Sequence, residues 1–173
     1  DEIVGIYESK ITPQTKMLMV CHMINTTGQI LPIEKICTMA HRYGVEVLVD
    51  GAHCIGHFDF KISELGCDYY GSSLHKWLAA PLGNGWLYID PKHIAKLWPL
   101  LADDERDTVN ILRLNHLGTH PVYNTLGIKD AIDYLQDLGL SRKEERLRYL
   151  RLYWMEGLKD TPNVVFNTPW ASE

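Results

Sequence analysis

Long hydrophobic runs are missing from this 173-residue sequence. No apolar stretch approaches the roughly 18 residues that a bilayer span needs, so we expect no membrane partner. An excess of positive charge is also missing. The formal net charge is −5, which argues against a nucleic-acid surface. The remaining composition, with 46% hydrophobic and 23% charged residues, is that of a globular protein with room for one core.

Cysteines are few and widely spaced. Cys21, Cys37, Cys54 and Cys67 form no CxxC pair, which argues against a zinc ribbon, and they are too sparse for a disulfide scaffold. We expect small buried thiols in a reducing compartment, and therefore a cytoplasmic protein.

An initiator methionine and a closing element are missing as well. The sequence opens on Asp-Glu before the apolar stretch 3–7, and it stops at Pro169-Trp-Ala-Ser-Glu. We interpret the chain as a fragment, so the missing signal peptide says little about localisation.

The first two thirds of the chain alternate apolar runs with helical patterns. Strands are predicted at Met17–Cys21, 45–49, 68–72 and Gly85–Ile89, and helices at 32–43 and 61–65. This rhythm indicates an α/β fold, a three-layer α/β/α sandwich with a mostly parallel sheet. Ligands of such sheets bind beyond the carboxyl ends of the strands. We therefore expect Asp50 and the polar segments 22–28 and 71–76 to converge on one edge.

The last third of the chain is helical in pattern. One helix ends at Gly139, and Ser141 is expected to cap the next. The second helix carries an apolar stripe opposite Arg142, Lys143 and Arg146, which we interpret as a solvated face. Both helices are expected to pack or to link domains.

Asp50 ends a β-branched run and is followed by Gly-Ala-His53. A carboxylate at the end of a buried strand is unfavourable unless it meets a cation or several donors. A protonated pyridine ring is one such cation, and Gly51 and Ala52 leave space for a flat ring. A structural aspartate that caps a turn explains the segment equally well.

Lys76 follows the next predicted strand, in the segment Tyr70-Gly-Ser-Ser-Leu-His-Lys-Trp77. An amine adds to an aldehyde only when it is neutral, and a partly desolvated site favours that form. Ser73 and His75 can donate hydrogen bonds to a phosphate. An exposed lysine at a helix start is the alternative, but Asp50 and Lys76 on neighbouring strand ends together favour a cofactor site.

Several segments, in this order, resemble the class V aminotransferases, a family of fold-type I enzymes that depend on pyridoxal 5′-phosphate (PLP). They are His22-Met-Ile-Asn-Thr-Thr-Gly28 with Pro32, Asp50-Gly-Ala-His53, Ser73-Leu-His-Lys-Trp77 with Ala80-Pro-Leu-Gly-Asn-Gly85, and Gly118-Thr119. The combination of Asp-Gly-Ala-His with His-Lys-Trp is most similar to the isopenicillin-N-epimerase-like branch.

The resemblance implies a role for each matching position. Lys76 forms a Schiff base with the cofactor's aldehyde and later moves the Cα proton, and Asp50 pairs with the ring nitrogen. The other expected cofactor contacts are Ala52 on the ring face, Asn25 and His53 at the 3-oxygen, and Ser73 and His75 at the phosphate. Thr119 is expected to reach the phosphate of the cofactor that a partner subunit binds, which implies a homodimer. His22 matches the pattern either as a support behind the site or as a core histidine.

The resemblance also implies the organisation of the chain. Residues 1–120 correspond to the C-terminal half of the cofactor-binding large domain. Residues 121–173 correspond to helices that lead into the small C-terminal domain. The expected substrate is a small molecule, an amino acid.

Three alternatives remain open at this stage. The first is a C–S lyase or cysteine desulfurase, although none of the four cysteines matches the position of a desulfurase nucleophile. The second is a fragment that binds no cofactor. The third is a metallohydrolase built on Asp50, His53, His57 and His75, although Gly51 and Gly56 disfavour the helix that His53 and His57 would need. We predict no metal.

Overall fold

The computed structural model describes residues 2–100, 108–115 and 118–170. Its elements are α1 (Glu2–Glu8), β1 (Met17–Cys21), α2 (Ile33–Arg42), β2 (Glu46–Asp50), α3 (Ile62–Leu65), β3 (Tyr69–Ser73), β4 (Gly85–Ile89), α4 (Pro91–Ile94), α5 (Val122–Leu138) and α6 (Leu140–Leu158), with a 3-10 turn at Ile111–Leu114. Every predicted strand and helix is present within one or two residues of its expected bounds. None of the helices in these ranges combines the length and hydropathy of a membrane span.

The four strands form one sheet in the order β1-β2-β3-β4. The first three strands are parallel, and β4 runs antiparallel to β3. A parallel return needs a crossover of a dozen or more residues, usually a helix. The segment 74–84 contains no helix, so the chain turns straight back. The prediction of a mostly parallel sheet is confirmed.

Side chains alternate between the two faces of the sheet. One face carries Val20, Val47, Val49 and Tyr70, which are fully buried. This face packs with the buried side of α2, formed by Ile33, Ile36, Met39 and Ala40. On the other face, segments around α4 pack near Tyr69, Ile89 and Leu48. Met19 on that face is 68% exposed and Leu87 is 52% exposed.

Helix α5 packs against the residues that follow β3. Ala131 joins a cluster with Leu74, Leu78 and Ala80, the residues that follow β3. The expected cap at Ser141 is wrong. Helix α6 begins one residue earlier at Leu140, with Gly139 at its N-cap and no side-chain cap.

Asp68 is the centre of a charge network at the amino end of β3. Its carboxylate is 1% exposed and lies 2.8 Å from His41 Nε2, 2.6 Å from His93 Nε2 and 3.1 Å from Lys92 Nζ. The Val47 N–H donates to it as well. Burial opposes the charged form, but these hydrogen bonds outweigh burial and lower the pKa of Asp68. The network therefore ties β2, α2 and α4 together.

Asp68→Asn should lower the free energy of unfolding near neutral pH by about 2–3 kcal/mol, because the variant removes the anion that pairs with Lys92 and accepts hydrogen bonds from its other neighbours. The pKa of Asp68 is depressed in the folded state. Its contribution is therefore complete above the unfolded value of about 4 and is lost as the pH falls below that value. Urea titrations at several pH values measure both effects.

Exposed Asp59 provides the control, since Asp59→Asn should leave the pH profile unchanged. If Asp68→Asn shows the wild-type slope of stability with pH, the network does not act as described.

Candidate cofactor-binding site

A cleft of about 300 Å³ opens at the carboxyl ends of β2 and β3. Three residues predicted for the site, Asp50, Ala52 and Ser73, line it together. The rest of the lining is formed by Met19, Leu48, Val49, Gly71 and Ser72. The register explains this grouping, because Asp50 is paired with Cys21 on one side and with Gly71 on the other.

The Asp50 carboxylate is held at the end of β2 by short backbone contacts. Its Oδ1 accepts from the Ala52 N–H at 2.9 Å, and its main-chain carbonyl accepts from the His22 N–H at 2.8 Å. A carboxylate has two acceptor oxygens. The second oxygen is therefore the one that can meet the N–H of a cationic ligand.

Tyr70 packs against the end of β2. It is fully buried, and its hydroxyl lies 2.9 Å from His22 Nδ1. A Cβ at Gly51 would lie 2.1 Å from Tyr70 Oη, so Tyr70 is the residue that requires glycine at this position. Burial lowers the pKa of His22 to about 4, which keeps it neutral. Of its two expected roles, the core histidine with a satisfied hydrogen bond describes its surroundings.

Lys76 lies in the turn after β3, and its Nζ is 3.0 Å from His53 Nε2. The other ring nitrogen of His53, Nδ1, accepts from Trp77 Nε1 at 3.3 Å. Burial first, and then the charge of Lys76, lower the pKa of His53, while Asp50 opposes the shift. Asp50, His53 and Lys76 therefore lie within electrostatic reach of one another. Lys76 is exposed. The described residues therefore do not provide the desolvation that was expected to favour its neutral form.

The loop after β2 and the turn after β3 are in direct contact. Gly56 has a φ of +75°, and a Cβ there would lie 2.8 Å from the Cα of Leu78. The ring of His57 stacks on Trp77 with centroids 3.7 Å apart, and His57 Nδ1 lies 2.9 Å from the His53 carbonyl. The two loops therefore hold His53 and Lys76 in one arrangement.

Helix α6 contributes a further contact through Lys143. The Lys143 ammonium donates to the main-chain carbonyl of Trp77 and lies 5.9 Å from its ring centroid. Burial lowers the pKa of Lys143. The expectation that Lys143 belongs to a solvated face is therefore wrong. Helical periodicity places Lys143 on the polar side of α6, but it cannot show that the turn after β3 packs against that side.

The two predicted phosphate ligands, Ser73 and His75, differ in whether they can donate a hydrogen bond. Ser73 lines the cleft with a half-buried hydroxyl. His75 Nδ1 lies 3.2 Å from the Asn84 carbonyl and acts as a donor to it. A neutral His75 then carries only a lone pair on Nε2, so it can donate to a phosphate only as an imidazolium.

Asn84 anchors this turn, a role that goes beyond the tight turn predicted at Gly83-Asn-Gly85. Its side-chain amide donates to the carbonyls of Asn124 at 2.7 Å and Pro81 at 3.1 Å. Asn124 in turn donates to the Leu82 carbonyl. The turn that carries Lys76 is thereby fixed to α5.

Five of the eight expected cofactor residues do not line the cleft at Asp50: His53, His75 and Lys76 lie in the loops that follow β2 and β3, and Asn25 and Thr119 lie in other segments. Asn25 is exposed in the turn that follows β1, and Thr119 is exposed in the segment before α5. Neither lines the cleft at Asp50. Their assignments remain predictions.

Three of the four cysteines are buried, as expected: Cys37, Cys54 and Cys67. Burial is the first cause that raises their pKa values, to about 12 for Cys37 and Cys54 and about 11 for Cys67. Cys21 is only half-buried, and burial together with the charge of Asp50 raises its pKa too. These thiols are poor nucleophiles.

The metallohydrolase alternative finds no support in the geometry. His53 faces Lys76 and Trp77, whereas His57 is bonded to a main-chain carbonyl and His75 to another. Within residues 2–100, 108–115 and 118–170, no group of three or more His, Cys, Asp or Glu residues is placed to hold a metal ion.

A family model for class V aminotransferases matches residues 4–173. The chain belongs to the class V aminotransferase family. The isopenicillin N epimerase of Streptomyces clavuligerus is 31% identical over 188 residues, which cover 99% of this chain and 47% of the relative. A probable cysteine desulfurase of Halalkalibacterium halodurans is 32% identical over 171 residues, which cover 94% of this chain and 42% of the relative.

A solved structure shares the fold. The cysteine desulfurase CsdA of Escherichia coli superposes with a TM-score of 0.81 at 28% identity, covering 92% of this chain and 42% of that one. The chain thus spans less than half the length of these relatives. The family predicted from the four motifs is confirmed.

The described residues fit PLP by their chemistry. A carboxylate is available for a ring nitrogen, an amine for an aldehyde, and a hydroxyl and an imidazole for a phosphate. The cleft volume lies at the lower end of the range for ligand pockets. Gly71 contributes to this space, because a Cβ there would meet nothing within 4 Å.

Gly51→Ala should lower the free energy of unfolding by about 1–3 kcal/mol, because the new methyl group overlaps the buried Tyr70 ring. Gly71→Ala is the matched control in the neighbouring strand, where the methyl group enters open space. Chemical denaturation measures both variants. Equal denaturation midpoints for the two would contradict the account of Tyr70.

Proposed function

We propose that the protein is a PLP-dependent enzyme that acts on an amino acid through Lys76. The observation that carries the proposal is the convergence of three groups at one edge of the sheet. The Asp50 carboxylate lies in the cleft, the Lys76 amine is 3.0 Å from His53, and His53 responds to the charges of both. Asp50 also caps the Ala52 N–H and Lys76 is exposed, so the proposal rests on the His53 side chain that these two groups share as a neighbour.

PLP, when bound, supplies an aldehyde that condenses with amines and a ring that draws electrons from the substrate's Cα. Lys76 would be the amine that holds this aldehyde, and its free amine would remove the Cα proton of the substrate. Asp50 keeps the ring nitrogen protonated through its second oxygen. Ala52 would lie against the ring, Ser73 and His75 would hold the phosphate, and Asn25 and His53 would address the 3-oxygen.

The isopenicillin-N-epimerase-like reaction class is the proposal favoured by the motif Asp50-Gly-Ala-His53 together with the similarity to the Streptomyces clavuligerus enzyme. An epimerase needs proton removal at Cα and no thiol. A cysteine desulfurase or C–S lyase is the alternative, supported by the relative from Halalkalibacterium halodurans. Three of this chain's cysteines are buried and the pKa values of all four are raised, so the chain itself does not offer the thiol that a desulfurase uses. A fragment that binds no cofactor remains the third possibility.

A homodimer is part of the proposal. Thr119 is exposed, as a residue that contacts the phosphate of a partner subunit's cofactor must be. Sedimentation of wild type and Thr119→Val, with and without PLP, separates a loss of dimer from a loss of cofactor contact.

Incubation with PLP should produce a visible absorbance band in the wild-type protein but not in Lys76→Ala, because only a lysine amine fixes the aldehyde. Borohydride reduction followed by peptide mapping should place the label on Lys76. Lys61→Ala is the matched control, since the Lys61 side chain is 73% exposed and lies at the start of α3.

Each outcome has a distinct meaning. A band in Lys76→Ala, or a label on another lysine, would refute the assignment of Lys76. A wild-type protein without band or label would favour the form that binds no cofactor.

A further inference from the structure

The ring of His53 contacts a different side chain at each nitrogen. Nδ1 is 3.3 Å from Trp77 Nε1, and Nε2 is 3.0 Å from Lys76 Nζ. An indole N–H is only a donor, so His53 Nδ1 must be the acceptor of the first bond. The hydrogen bond at one ring nitrogen sets the protonation of the other, and the proton of neutral His53 therefore resides on Nε2.

This tautomer has a consequence at Lys76. The Nε2–H can donate to Lys76 Nζ only if the amine presents a lone pair, and an ammonium has none. The opposite tautomer would place the Nδ1–H of His53 against the N–H of Trp77. With this tautomer, the 3.0 Å contact between Nε2 and Lys76 Nζ is a hydrogen bond only when the amine is neutral, which is the form that adds to an aldehyde.

We propose that Trp77 is a positioning residue that fixes the tautomer of His53, so that Nε2–H is presented to Lys76 and to the oxygen of any cofactor bound beside it. The benefit for cofactor binding rests on the proposed function. The tautomer itself is a property of this chain and can be measured without a cofactor.

The indole of Trp77 is held from two sides, which suits this role. His57 stacks on its ring at an interplanar angle of 18°, and Lys143 of α6 bonds to its main-chain carbonyl. The charged groups that face His53 are Asp50 and Lys76, and those that face His57 from α6 are Lys143 and Glu144.

The tautomer of His53 can be read from ¹⁵N–¹H correlations that span two bonds in protein labelled at histidine. His53→Gln assigns the signal by its loss. We expect the Nε2–H pattern in the wild type and a change toward a mixture of tautomers in Trp77→Phe, which keeps a ring for His57 to stack on but lacks the N–H. Trp98→Phe is the matched control, because Trp98 is 91% exposed, and it should retain the wild-type pattern.

Titration of the same signal gives a second readout. Burial and then Lys76 lower the pKa of His53, and the Trp77 N–H acts in the same direction because it needs the Nδ1 lone pair. The pKa of His53 should therefore rise in Trp77→Phe by roughly half a unit or more. An Nδ1–H pattern in the wild type, or an unchanged pattern and titration in Trp77→Phe, would overturn the inference.

Borohydride labelling of the same proteins separates this inference from the proposed function. A labelled Lys76 with His53 in the other tautomer means that the cofactor assignment stands and the role of Trp77 falls. If the wild-type Nε2–H pattern is lost in Trp77→Phe and Lys76 carries no label, the role of Trp77 stands and the cofactor assignment falls.

Discussion

The parallel, in-register pairing of β1, β2 and β3 is the constraint on which the rest of the site depends. It sets Cys21, Asp50 and Gly71 side by side, so the loops that leave β2 and β3 start from the same edge. This register is held by the fully buried side chains on one face of the sheet, which are Val20, Val47, Val49 and Tyr70. A slip of one strand by one residue would turn its buried side chains toward solvent. The hydrophobic face of the sheet thereby determines where its polar end lies.

Close packing then sets the geometry of the site more finely than the sheet does. Gly51 lies directly on Tyr70, and Gly56 lies directly on the backbone of Leu78, so neither position has room for a side chain. The loop after β2 is consequently pressed against the turn that carries Lys76. His57 stacks on Trp77, which joins the loop to this turn. Lys143 of α6 bonds to the Trp77 carbonyl and so adds a contact between the turn and α6.

Asp50 and Asp68 lie in similar sequence contexts but have different roles. Both lie at an end of a strand beside apolar residues. Asp68, at the amino end of β3, is surrounded by donors from His41, Lys92, His93 and Val47, so it is structural. Asp50, at a carboxyl end, lines an open cleft with one oxygen bonded to Ala52. Position in the sheet, and with it the supply of neighbouring donors, separates the two.

The sequence by itself determined the strands, the mostly parallel sheet and the family, because apolar periodicity and short motifs are local properties of the chain. Only the tertiary structure decided that Tyr70 demands glycine at 51, that Asn84 anchors the turn to α5, and that Lys143 reaches Trp77. It also placed the His53 ring between Trp77 and Lys76. These contacts join residues that are distant along the chain, and a hydrogen bond or a stacked ring requires distances and angles that residue spacing does not contain.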